Sequence, residues 1–115
     1  MKKAYYLGQC SSCQRILSEV NWKGQLQDIR IEKISEEQLD QMANMSGSYG
    51  TLFSRRAIKY KSMGLKDKAL SEGDYRQLIL EEDTFLKRPV FIVNDKIFVG
   101  NSKKTIEALK STLNE

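Results

Sequence analysis

Histidine is absent from this 115-residue chain, which removes imidazole both as a general base and as a metal ligand. Cysteine occurs only twice, as Cys10 and Cys13, so an intrachain structural zinc site would have to be completed by carboxylates. No apolar run is long enough to span a bilayer, and the opening Met-Lys-Lys-Ala-Tyr-Tyr-Leu-Gly lacks the apolar core of a signal peptide. The expectation is a cytoplasmic protein with no membrane association. Charge of one sign is also scarce: 19 basic and 15 acidic residues leave a net +4 spread along the chain. That bias is too mild to predict direct nucleic-acid binding. Repeats, low-complexity tracts and linkers are missing as well. At 40% hydrophobic and 30% charged residues, the chain has the content of one domain over residues 1–115 with a single core.

The two cysteines form a C-S-S-C between a short apolar run and an amphipathic stretch. Lys3 to Leu7 is predicted as a strand, and Ile16, Leu17 and Val20 fall at helical spacing within Gln14 to Val20. Cys10 is thereby set at a helix N-terminus, where free backbone N–H groups and the helix dipole favour thiolate over thiol. Two thiols one helical turn apart can interconvert between dithiol and disulfide. A zinc half-site and a pair of inert core thiols are the alternatives. In a reducing compartment, a C-x-x-C is more often redox-active or metal-binding than a structural staple.

Asn21 to Gly24 reads as a turn and Asp28 to Ile34, with Ile29, Ile31 and Ile34 alternating, as a second strand. These elements make a βαβ unit, expected to be parallel with a right-handed crossover. Ser35-Glu36-Glu37-Gln38 is a capping box opening a helix to about Met45. Ser46 to Gly50 breaks that helix, and Leu52 to Leu65 is predicted as one or two short basic helices ending at Gly64. Ser71, with Asp74 three residues on, starts another. Residues 35–82 thus form a helical insertion. Val90 to Val93, the turn Asn94-Asp95 and the return Ile97 to Val99 predict a β-hairpin. Ser102 caps a last helix carrying Ile106, Leu109 and Leu113. The order β-α-β, helices, β-β-α is the layout of the thioredoxin-like fold: α/β, with a four-stranded mixed sheet and a helical insertion between the second and third strands.

Pro89, the single proline, heads the Val90 to Val93 run. Arg88 precedes it, and Arg55 and Arg56 lie in the basic segment. Taken singly, each arginine reads as part of a solvated face. Taken together, one from each segment would lower the Cys10 pKa and offer forked donors to an oxyanion or carboxylate.

Cys10-Ser-Ser-Cys13-Gln-Arg, Leu52-Phe-Ser-Arg-Arg, the segment Tyr60 to Leu65, and Lys87-Arg88-Pro89-Val-Phe-Ile-Val resemble the arsenate reductase-like superfamily over essentially the whole chain. That superfamily includes glutaredoxin-dependent arsenate reductases and Spx-type redox regulators of transcription. The resemblance implies that Cys10 is the nucleophile and that glutathione, glutaredoxin or another thiol is the reductant, with no bound cofactor and no metal. It implies that Arg88 binds the oxyanion, that the Arg88–Pro89 bond is cis, and that Arg55 is the second anion-binding arginine, although a gapless register puts Ser54 there. Three departures separate this chain from the reductases. The third arginine is replaced by Val99-Gly100-Asn101, the histidine before the cysteine is missing, and Cys13 is added, as in Spx-type proteins. The expected function is a thiol–disulfide oxidoreductase resembling arsenate reductase, with Cys13 as resolving thiol and a small oxyanion or a thiol or disulfide as substrate. The alternative is an Spx-type redox sensor that binds RNA polymerase.

Overall fold

The computed structural model describes residues 1–114, which divide into two compact units, residues 1–33 with 88–114, and residues 34–87. In the first unit, β1 (Lys2–Tyr6) leads through a short loop into α1 (Ser11–Glu19), which returns the chain to β2 (Gln25–Asp28). The later segment adds β3 (Val90–Val93) and β4 (Lys96–Val99) as a hairpin through Asn94 and Asp95. The sheet order is β2-β1-β3-β4, with β1 and β2 parallel and the other two pairings antiparallel. This is the expected four-stranded mixed sheet. Alternation along the strands brings Ala4, Phe91 and Val93 into one buried cluster with Ile16, Ile106 and Leu109. Leu17, Val20, Trp22, Phe98 and Leu113 pack against it, and the Trp22 and Phe91 rings lie 5.0 Å apart.

The second strand is shorter and earlier than the alternation of isoleucines predicts. β2 ends at Asp28, and Ile29 to Ser35 is turn and irregular chain instead of strand. Ile31 is 85% exposed, while Ile29 and Ile34 are buried. The cause is Asp28: its backbone C=O accepts from the N–H groups of Ile31 (3.1 Å) and Glu32 (2.8 Å), and its Oδ1 accepts from the N–H of Arg30 (3.1 Å). An aspartate that takes the following backbone donors turns the chain where periodicity alone would extend it.

In the second unit, α2 (Glu36–Ser46) and α3 (Ile58–Ser62) are followed by α4 (Glu72–Glu81). Both predicted caps form: Ser35 with Gln38 and Ser71 with Asp74 each make the reciprocal pair of side-chain to backbone bonds. Gly47, at φ +105, stops α2 in the left-handed conformation that favours glycine. The basic stretch from Leu52 is less helical than expected. Only Ile58–Ser62 is α-helix, because the Leu52 C=O accepts from Lys87 N–H (2.8 Å) and Ser54 N–H donates to Phe85 O (2.7 Å). Those two bonds flank an isolated antiparallel bridge of Phe53 with Leu86. Phe53 stacks on Phe85 at 5.0 Å and lies 4.9 Å from the Tyr75 ring.

Candidate active site

β1 and β3 are antiparallel, with Tyr5 opposite Val90. The residues that follow β1 and those that precede β3 therefore leave the sheet at the same edge. The first group ends in Cys10, and the second is Arg88 and Pro89. This is how residues distant in sequence come to share one site. The Arg88–Pro89 peptide is cis, as the resemblance implies. Pro89 is buried, and its carbonyl accepts from Gly100 N–H at 2.9 Å. Gly100, at φ +90, stands near the position of the missing third arginine.

Cys10 is the N-cap of α1. Its backbone is extended, and its Sγ accepts from the N–H of Cys13 at 3.4 Å. A thiol in that place does what a serine or aspartate does at an ordinary N-cap, with the difference that thiolate is the better acceptor. Both cysteines are free of a disulfide; Cys10 is half-buried and Cys13 fully buried. Burial works against the Cys10 thiolate. It is outweighed by hydrogen bonds from the Cys13 thiol and backbone, the Arg88 charge and the Ser12 N–H, so the Cys10 pKa is lowered. Cys13 goes the other way. Burial, the hydrogen bond with Cys10 and the Cys10 charge push it up to about 12, against a backbone hydrogen bond with Leu7 and the Arg88 charge. One thiol is biased toward thiolate and the other is kept protonated.

The loop between β1 and Cys10 is held by residues that sequence reasoning did not single out. Asp28 Oδ2 accepts from Gly8 N–H at 3.0 Å, and Gln14 Nε2 donates to Gly8 O at 3.2 Å. A Cβ on Gly8 would lie 2.4 Å from Asp28 Oδ2, so only glycine lets the carboxylate come this close. The glycine two residues before Cys10 was a visible signal. Asp28 carried none, because its partner is supplied by the β1–β2 pairing.

The predicted Arg55 belongs to the second unit. Its Nη2 donates to Tyr75 Oη at 2.9 Å, and its guanidinium lies over the rings of Phe53 and Tyr75, 6.0 and 5.7 Å from their centroids. Ser54 Oγ accepts from Arg56 N–H at 3.3 Å, and Arg55 and Arg56 are both exposed. Among the described residues no cluster of histidine, cysteine or acidic side chains could hold a metal ion, and no helix is long and apolar enough to cross a membrane.

The sequence model of the ArsC family matches residues 5–109. Uncharacterized protein YusI of Bacillus subtilis (strain 168) is 25% identical over 109 residues, covering 90% of this chain and 92% of its own. Among solved structures, one described as a possible arsenate reductase from Streptococcus mutans UA159 has 25% identity and a TM-score of 0.73, covering 95% of this chain and 97% of the other. An arsenate reductase from Vibrio cholerae has 18% identity and a TM-score of 0.77, with 95% of each chain covered. At that identity the second likeness speaks for the fold.

Proposed function

The chain belongs to the ArsC family, and from that membership we propose that it is a thiol–disulfide oxidoreductase of the arsenate reductase type, with Cys10 as nucleophile and Cys13 as resolving thiol. One observation carries the reading: the Cys10 Sγ accepts the N–H of a buried Cys13 whose own thiol is pushed up to about 12. That asymmetry assigns the order of events. On an arsenate-class oxyanion, Cys10 Sγ forms a bond to the central atom, and a hydroxyl leaves as water after taking a proton. Cys13 then attacks Cys10 Sγ. The bond from Cys10 to the oxyanion breaks, its electron pair stays on the departing product, which is reduced by two electrons, and the two cysteines join as a disulfide.

Cys13 becomes easier to ionise at the moment it is needed. The hydrogen bond with Cys10 and the Cys10 charge, two of the influences that raise it, end once Cys10 is bonded to the substrate. Arg88, as a fixed cation whose charge favours the Cys10 thiolate, is the proposed anion-binding residue. Two equivalents of a thiol such as glutathione, or one dithiol glutaredoxin, in a reducing cytoplasm, return two electrons and two protons to the couple and leave as the disulfide.

The test is turnover of arsenate and of a small disulfide by the reduced protein with a glutathione and glutaredoxin supply. Cys10→Ser is expected to abolish both, and Cys13→Ser, in a single-turnover reaction with no thiol supplied, to stop after one attack with the adduct retained on Cys10. Turnover that survives Cys10→Ser would refute the assignment. Absence of turnover together with redox-dependent recovery of RNA polymerase from lysate would replace it with the Spx-type reading.

A further inference from the structure

The net positive charge is gathered in one segment of the second unit instead of being spread along the chain. Residues 55–69 carry Arg55, Arg56, Lys59, Lys61, Lys66 and Lys68 against a single acid, Asp67, while thirteen basic and fourteen acidic residues lie elsewhere. The segment alone is therefore +5 and the remainder −1. Glu82 pairs with Lys59, and counting that acid as well still leaves the segment at +4. All six cations are exposed.

Two large apolar side chains stand in solvent within the same segment: Ile58 is 87% exposed and Met63 45%. The short helix α3 accounts for the first. Tyr60 faces inward, its ring 6.0 Å from that of Phe53, and successive helical residues are turned by about 100°. Ile58 and Ser62, two positions to either side of Tyr60, therefore point away from the core, with Lys59 and Lys61 at the flanks. An isoleucine projects between two lysines, and Met63 follows at the helix end.

We propose that this face of the second unit docks on an anionic lipid bilayer, with Ile58 and Met63 entering the headgroup boundary and the surrounding cations at the level of the lipid phosphates. A lone exposed isoleucine is ordinary on a protein surface; its setting within the chain's excess positive charge is what selects a partner. Charge complementarity requires that partner to be anionic. A protein interface is anchored by aromatic and arginine side chains and is poor in lysine, whereas here the aromatic Tyr60 is turned inward and the outermost groups are isoleucine, methionine and lysine. A nucleic acid would use the same cations but would gain nothing from Ile58, and single strands ask for exposed aromatic platforms. A bilayer uses both features at once and demands no matching shape. The expectation of no membrane association rested on the lack of a spanning or signal segment. A surface contact needs neither, and it agrees with the absence of any helix able to cross a membrane among the described residues. The proposal is independent of the reading of Cys10.

Sedimentation of the reduced full chain with vesicles tests it, using phosphatidylcholine alone and phosphatidylcholine with phosphatidylglycerol in equal parts. Binding is expected to the mixed vesicles and not to the neutral ones, and to be lost as salt approaches 1 M, where the Debye length is about 3 Å. Lys61→Gln should weaken binding about fivefold, the scale of one cation at an anionic surface. Ile58→Ser should weaken it about tenfold, the scale of one buried aliphatic side chain. Lys104→Gln, in the helix Lys103–Leu113 of the first unit, should leave it unchanged. Exposed Lys61 and Ile58 are not needed for folding, and unchanged urea midpoints in both variants check this. Absence of binding to the mixed vesicles would overturn the proposal, as would full binding by Ile58→Ser or an equal loss in Lys104→Gln and Lys61→Gln. Tighter binding to polyglutamate or to a DNA duplex than to the mixed vesicles would assign the face to an acidic protein or to nucleic acid, and overturn the bilayer.

Discussion

The backbone N–H of Cys13 donates to Sγ of Cys10 at 3.4 Å, so the proposed nucleophile caps the very helix that carries its proposed resolving partner. The cap is the first link between fold and chemistry here. An acceptor is required at that place whether or not any reaction occurs, and thiolate fills the role better than thiol.

Alkylation of Cys10 should therefore have its midpoint below that of an ordinary, unfolded thiol. Arg88→Gln and Cys13→Ala should each move it upward, since each removes a group that favours the thiolate. The same shifts appear in stability under reducing conditions. Cys10, lowered in the fold, adds stability that is present above the ordinary thiol value and lost as pH falls through its folded value. Cys13, raised to about 12, adds stability that is present below the ordinary value and lost as pH rises from there toward 12. Urea midpoints against pH should show the alkaline loss in the wild type and a flatter alkaline limb in Cys13→Ala. Equal limbs in both proteins would show that burial of Cys13 does not set its ionisation.

Gly8→Ala should displace the Cys10 loop, because its Cβ would stand 2.4 Å from Asp28 Oδ2. The expected cost is about 1–3 kcal/mol of stability, with a slower alkylation of Cys10. Asp28→Ala in the same chain removes the clash, so the double variant should be less destabilised than the two single losses added together. Strict additivity in urea denaturation would mean that the two residues do not meet.

The helical unit should depend on its two caps. Ser35→Ala and Ser71→Ala each remove the acceptor for an N3 backbone N–H, at an expected cost of about 1 kcal/mol, while the glycine variants should cost only a few tenths. Chemical denaturation compares the pairs. Alanine variants as stable as wild type would show that solvent serves these helix ends equally well.

What the sequence determined by itself was local. The caps at Ser35 and Ser71 were legible because a capping box is complete within four residues, and the Val90–Val93 hairpin because its turn and alternation are contiguous. The C-x-x-C at a helix start was legible for the same reason, and the likeness of the Arg88-Pro89 segment to a known family supplied the site's second half.

Tertiary structure decided whatever needs two separated segments. It ended β2 at Asp28, because register with β1 and the Asp28 turn outrank the period of Ile29, Ile31 and Ile34. It paired Phe53 with Leu86 in an antiparallel bridge, because the backbone groups of Leu52 and Ser54 on either side bond to Lys87 and Phe85. It also gave Asp28 its place at the Cys10 loop. No spacing in the sequence encodes that neighbourhood, since Gly8 and Asp28 stand 20 residues apart and meet only because β1 and β2 pair side by side.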